Sequence, residues 1–153
     1  MKPLKGTRTS IMELQLKGLP WIQADLKENL SVIVPFLLES FRMDVSCVGL
    51  YGSWQRGDAD PKSDVDLVVF LIYEVAWFDS EYGIINRLDA RKDKQYWHAI
   101  EKEVNAHRSD ARDYSIAVVT PSMLKYYSVQ GPIHLQNWVH ALRNCYTLWN
   151  SCV

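Results

Sequence analysis

The sequence predicts a small α/β (α+β) domain in which a short mixed sheet is flanked by helices. Three observations predict it. Residues 21–42 repeat apolar side chains at helical spacing, residues 45–51 and 65–73 are apolar runs of strand length, and a third such run at 114–119 follows a charged amphipathic stretch. No repeat, low-complexity tract or Pro/Ser-rich linker divides the 153 residues, so 1–153 reads as one domain with its own core.

Residues 1–20 are polar and punctuated by Gly and Pro, which predicts a loose or short helical lead-in. From Trp21 to Arg42 the stripe is Ile22, Leu26, Leu30, Ile33, Leu37 and Phe41. Pro35 removes a backbone donor inside it, which predicts a kink or two helices, with Ser31 as a candidate cap for the second. Val45–Tyr51 reads as a strand ended by Gly52 and Ser53. The near-continuous apolar run Val65–Tyr73 reads as a strand covered on both faces. Residues 84–107 follow as a charged helix with Ile84, Leu88, Trp97, Ile100 and Val104 on its apolar stripe. A third strand, Tyr114–Val119, stops at Thr120-Pro121, and helices at 121–128 and 133–144 are separated by Gly131-Pro132. A short last strand fits Tyr146–Trp149.

Hydrophobic residues make up 48% and charged residues 23%, a globular balance rather than a disordered one. With a net charge of -1 nothing in the bulk electrostatics calls for a polyanion, so a nucleic-acid partner is disfavoured. The opening Met-Lys-Pro-Leu-Lys-Gly-Thr-Arg lacks a signal-peptide apolar stretch, and the run 65–73 is too short to span a bilayer. Cys47, Cys145 and Cys152 are odd in number and without C-x-x-C spacing, which predicts reduced thiols. Together these features predict a cytoplasmic protein without a membrane partner.

Chemistry concentrates between residues 52 and 66. Asp64 and Asp66 are separated by one residue at a strand start, so both carboxylates leave the same face. Two like charges beside an apolar run are costly unless a cation lies between them. Oxygen-only ligands of this kind suit Mg²⁺, which also keeps waters and phosphate oxygens. The turn Gly52-Ser53-Trp54-Gln55-Arg56-Gly57 supplies the complement. It follows a strand and opens a short helix, where free N–H groups favour a phosphate. Gly52 permits close approach of the backbone, Ser53 adds a hydroxyl, and Arg56 either meets phosphate or pairs with a carboxylate to hold the loop; the second role is favoured.

The pattern Gly52-Ser-x-x-Arg56-Gly57, five residues, then Ser63-Asp64-x-Asp66-Leu67 resembles the signature of the DNA polymerase β-like nucleotidyltransferase superfamily. It is most similar to the minimal nucleotidyltransferase domains, relatives of kanamycin nucleotidyltransferase. The resemblance implies that Asp64 and Asp66 ligate two Mg²⁺ ions, that Gly52, Ser53, Arg56 and Ser63 line the nucleotide site, and that a nucleoside monophosphate is transferred in line with release of pyrophosphate. ATP as the donor and a tyrosine of a HEPN-type partner protein as the acceptor are what membership among the minimal members implies, an antitoxin-like role.

The family's pattern also places a third carboxylate shortly before the Thr-Pro ending. Counting back from Thr120-Pro121, that position holds Ser115, and Asp113 lies two residues earlier on the same face. Asp113 is the candidate third catalytic carboxylate, although one two-residue step displaces it by about 6.5–7 Å. The alternative is a nucleotide-binding or antitoxin module that works by partner binding alone. Trp54 is a candidate for stacking on a base or for covering the adjacent helix. Trp77-Phe78 reads as a partner surface or a loop packed on the core, and Arg91-Lys92-Asp93-Lys94 as a solvated helix face. His98, His107, His134 and His140 show no metal-ligand spacing.

Overall fold

The computed structural model describes residues 14, 16–41, 44–72, 99–106, 108, 110, 112–131 and 133–151. The lead-in is less loose than its composition predicts. Leu14, Leu16 and Leu19 are buried in the core, and two successive turns, Leu19 N–H to the Leu16 carbonyl (3.0 Å) and Ile22 N–H to Leu19 (3.1 Å), fold residues 16–22 onto it. Residues 1–13 lie outside the described residues.

Helix α1 spans Ala24–Ser40 without interruption, which rules out the two-helix alternative at Pro35. Its apolar stripe, Leu26, Leu30, Ile33, Val34, Leu37 and Leu38, is buried along the full length, and Pro35 is buried with it. One lost N–H donor costs less than unpacking that stripe. Ser31 caps nothing; its hydroxyl donates to the Lys27 carbonyl one turn back, at 2.8 Å.

The sheet is mixed, with order β3-β2-β1-β4. Strands β1 (Val45–Tyr51) and β2 (Val65–Leu71) are antiparallel, in a register that sets Tyr51 against Asp66. Strand β3 (Tyr114–Val119) runs parallel to β2 and sets Ser115 against Asp66. The final strand β4 (Tyr146–Asn150) pairs antiparallel with β1 on the far side. Between β1 and β2 lies a single helical turn, α2 (Ser53–Arg56). The middle of β2 is buried on both faces, as its run Leu67-Val68-Val69 requires: Val68 and Val69, neighbours with opposite orientations, are both fully buried.

Helix α3, described over residues 99–106, covers the outer edge of β3. Ile100 and Val104 enter the core. Asn105 grips the Tyr114 backbone twice, accepting from its N–H (2.7 Å) and donating to its carbonyl (2.8 Å), while a Glu101 carboxylate oxygen accepts from Ile116 N–H (2.8 Å). Side chains therefore satisfy backbone groups that an exposed edge would leave open. Residues 84–98 and 107 of the expected helix, with Trp77-Phe78 and the 91–94 charge run, lie outside the described residues.

Thr120 ends β3 and begins helix α4 (Pro121–Val129): its hydroxyl accepts from Met123 N–H at 3.2 Å, and Pro121 takes the first helical position, where no donor is needed. Helix α5 (Ile133–Arg143) packs on α4 and against β1, burying Val139 and Leu142. No helix among the described residues is long and apolar enough to cross a membrane.

Candidate active site

The antiparallel β1–β2 pair brings the end of one strand and the start of the next to a single edge of the sheet. Gly52 and Asp66 meet there. Gly52 has φ 76° and ψ −154°, a conformation that side chains other than glycine's strongly disfavour. A Cβ at this residue would lie 2.2 Å from Oδ2 of Asp66. The glycine therefore gives the Asp66 carboxylate its room, as well as turning the chain. From Gly52 the chain enters α2, whose first N–H groups, on Ser53, Trp54 and Gln55, precede the first intrahelical bond, Arg56 N–H to the Gly52 carbonyl (3.0 Å). Gly57 closes the turn in the left-handed region (φ 87°), with its own N–H and that of Asp58 both donating to the Ser53 carbonyl.

Asp64 is exposed, and Asp66, two residues on, is half-buried. Burial pushes the Asp66 carboxyl above the ordinary carboxylate value, the Asp64 charge pushes it further, and the Arg56 charge offsets part of the rise. A paired-carboxylate site with an electrostatic deficit is a site a divalent cation relieves. The donor set fits: two carboxylates on one face, beside backbone N–H groups suited to phosphate. Among the described residues no group of three or more Asp, Glu, His or Cys side chains converges. Arg56 pairs with Asp58 at 3.1 Å, both side chains being about 60% exposed. Ser63 is folded into the preceding turn: its hydroxyl accepts from Asp60 N–H at 2.9 Å.

Trp54 is 2% exposed, which removes it from the set of residues able to stack on a ligand. It lies under the loop instead. Its indole N–H donates to the Ser63 carbonyl at 3.0 Å, its own carbonyl accepts from the Trp21 indole, and the Arg112 guanidinium carbon sits 5.0 Å from its ring centroid. Arg112 is buried too. It donates to Asp110 (2.8 Å), Asp25 (3.1 Å) and Gln23 (2.7 Å), and Asp110 in turn accepts from the Tyr114 hydroxyl (2.8 Å).

The β2–β3 register places Ser115 abreast of Asp66. One step earlier, Val65 N–H donates to the Asp113 carbonyl at 2.8 Å, so Asp113 enters the sheet level with Asp64. Its side chain is 71% exposed and meets Arg108 at 3.3 Å. Asp66 and Ser115, abreast on neighbouring strands, share one face; alternation carried one residue before each strand would bring Asp64 and Asp113 to that face as well.

The family model described as a nucleotidyltransferase domain matches residues 30–120, from the middle of α1 to the end of β3. The chain belongs to that family. No match was found among curated individual proteins. The matched span of this nucleotidyltransferase domain contains the Gly52–Gly57 turn, both carboxylates and the Asp113/Ser115 strand, and ends before α4, α5 and β4. Nucleotidyl transfer is thus the general chemistry of the domain.

Two contributors to the site were not legible as such in the sequence. Gln55 donates to the Asn144 carbonyl at 2.8 Å, tying α2 to the turn before β4, and nothing local in the chain signals a contact across 89 residues. Arg112 reads in sequence as one charge of a solvated run. A signal did exist: an arginine flanked by acids immediately before an apolar strand is positioned to be buried with its partners. His140 is exposed beside Asn144; the side chain of His134, and His98 and His107, lie outside the described residues.

Proposed function

We propose that this domain transfers a nucleoside monophosphate, AMP from ATP, to a hydroxyl acceptor with Mg²⁺ as the required ion. The observation that carries the reading is the meeting of Gly52 with the Asp66 carboxylate, which puts a phosphate-binding turn and a carboxylate pair at one sheet edge. Asp64 and Asp66 would hold the cation; Ser53 and the first N–H groups of α2 would face the terminal phosphates. When bound, the cation would neutralise charge on the triphosphate and lower the cost of exposing an acceptor oxyanion. In the transfer, the acceptor oxygen bonds to the α-phosphorus, the bond from that phosphorus to the β-bridging oxygen breaks, and pyrophosphate leaves. The acceptor's proton would pass to the Asp113 carboxylate, whose residue enters the sheet level with Asp64.

The acceptor we favour is a tyrosine of a HEPN-type partner protein, in an antitoxin-like role within the cytoplasm. The resemblance to minimal nucleotidyltransferases supports it, as does the net charge of -1, which supplies no overall positive field to hold a primer duplex. Free Cys47 and Cys145 thiols suit a reducing compartment. A second reading has its own observation. With Ser115 rather than an acid abreast of Asp66, the domain is a nucleotide-binding module that silences its partner by contact alone.

Incubation with α-labelled ATP and Mg²⁺ in cell lysate, wild type beside Asp66→Ala, separates the two. Label appearing on a protein only with wild type supports transfer and identifies the acceptor. Calorimetric ATP binding without any transfer supports the silent module.

A further inference from the structure

We propose that Trp54 and Arg112 are positioning residues of this site, joining the phosphate-facing turn and the metal-facing strand to one buried indole. This assignment rests on the nucleotidyl-transfer reading for its chemistry, although not for its geometry. A four-residue helix cannot hold its own position, because its nucleation cost exceeds what a single turn returns. Trp54 is the only buried residue of α2. Its ring therefore locates the turn, and Ser53 is its immediate neighbour in that turn.

The same indole reaches the second half of the site. Its N–H donates to the carbonyl of Ser63, one residue before Asp64. Any shift of the ring moves Ser53 and the Asp64 carboxylate together. What holds the ring is Arg112, stacked over it at 5.0 Å and held by Asp110, Asp25 and Gln23. Those anchors lie at the start of α1 and at the entrance to β3. Arg112 directly precedes Asp113, so the third acidic candidate is referenced to the same group.

A buried arginine with buried Asp110 is an expensive filler. Apolar residues of similar volume would usually give equal or greater stability. The planar guanidinium does what an apolar group would not: it orients a ring by its face while its edge is locked by three hydrogen-bonded partners. A misplacement near 1 Å at a reacting centre costs about a hundredfold, which makes such orientation valuable.

The test uses the full chain carrying Trp54→Phe, a second version with Trp54 replaced by 3-benzothienylalanine, and Arg112→Lys. The benzothienyl ring keeps shape and stacking but has no N–H, so it remains informative if Trp54→Phe fails to fold. Two readouts are taken on folded protein: amide hydrogen exchange across residues 53–66, and Mn²⁺ affinity by electron paramagnetic resonance. Expected are exchange about tenfold faster in that segment alone and Mn²⁺ affinity about tenfold weaker, with the global unfolding transition little changed. Wild-type exchange and wild-type Mn²⁺ affinity in the benzothienyl and Arg112→Lys variants would overturn the assignment. So would slowed or accelerated exchange spread evenly over the chain, since that reports stability alone. Failure of the functional reading is visible separately, as absence of label transfer by wild type while the exchange differences persist.

Discussion

Replacing Asp66 with Asn is expected to stabilise the fold while removing metal-dependent transfer. Strand geometry sets the Asp64 and Asp66 carboxylates about 6.5–7 Å apart, where two unit charges repel by about 2.4 kcal/mol at an effective dielectric of 20 and about 0.6 kcal/mol in bulk water. Asp64 is exposed and Asp66 half-buried, so solvent screening brings the repulsion to about 1 kcal/mol. For a domain of this size that corresponds to about 2–4 °C in Tm. The sign with pH follows from the raised Asp66 carboxyl. Its folded value lies above the unfolded one, so the native state binds the extra proton first and the penalty is full only above the folded pKa. As pH falls through that value the penalty fades, and it is gone below the unfolded value. Thermal unfolding of wild type and Asp66→Asn in EDTA, at pH 7.5 and again near pH 4, measures this directly. The variant should melt higher at pH 7.5, the gap should close at low pH, and Mg²⁺ should raise only the wild-type Tm. An Asp66→Asn variant that melts lower than wild type at pH 7.5 in EDTA would refute the idea of a carboxylate pair under electrostatic strain.

Gly52→Ala meets both a glycine-only backbone conformation and a contact at 2.2 Å with the Asp66 carboxylate, and should cost about 1–3 kcal/mol in urea titration together with loss of nucleotide binding. A hydrogen bond from the Cys145 thiol holds the Cys47 thiol down at about 7, while Cys145 is pushed up by the same contact and by burial. Iodoacetamide should accordingly label Cys47 ahead of Cys145, at a rate rising through pH 7, and a midpoint near 9 would contradict that contact. Asn105→Ala removes both side-chain bonds to the Tyr114 backbone and should cost about 1–3 kcal/mol, read by chemical denaturation, with exchange at the Tyr114 amide accelerated.

Elements whose signals are local were legible. Val45–Tyr51 and the Gly52–Gly57 turn carry their own boundary residues, and Thr120-Pro121 marks a strand end and a helix start in one dipeptide. What failed depended on distant packing. Pro35 reads locally as a kink or a division into two helices, yet a buried stripe on both sides of it keeps α1 one helix. For Trp54 the local sequence leaves stacking on a ligand and packing beneath the turn both open; burial and contacts with Ser63, Trp21 and Arg112 decide for packing. Leu14, Leu16 and Leu19 are scattered among polar residues without a period, so their burial had no pattern to announce it.

The third acid illustrates how register decides what spacing leaves open. Counting residues puts Ser115 where an acid is wanted and Asp113 one step away; the β2–β3 pairing translates that step into a choice of neighbour, Ser115 abreast of Asp66 and Asp113 level with Asp64. Face is preserved and height is not. The Arg108 contact does not by itself disable Asp113, because a 3.3 Å pair with one side chain 71% exposed contributes only about 0–1 kcal/mol and opens readily. If Asp113 takes the acceptor's proton, Asp113→Ala should lower kcat by about 10²–10⁴-fold with little change in nucleotide affinity, whereas Arg108→Ala should leave kcat within a few-fold. If both variants act like wild type, the proton leaves through solvent and the carboxylate pair works without a third acid. Equal losses in both would mean that the ion pair itself, holding the entrance of β3, is what the site requires.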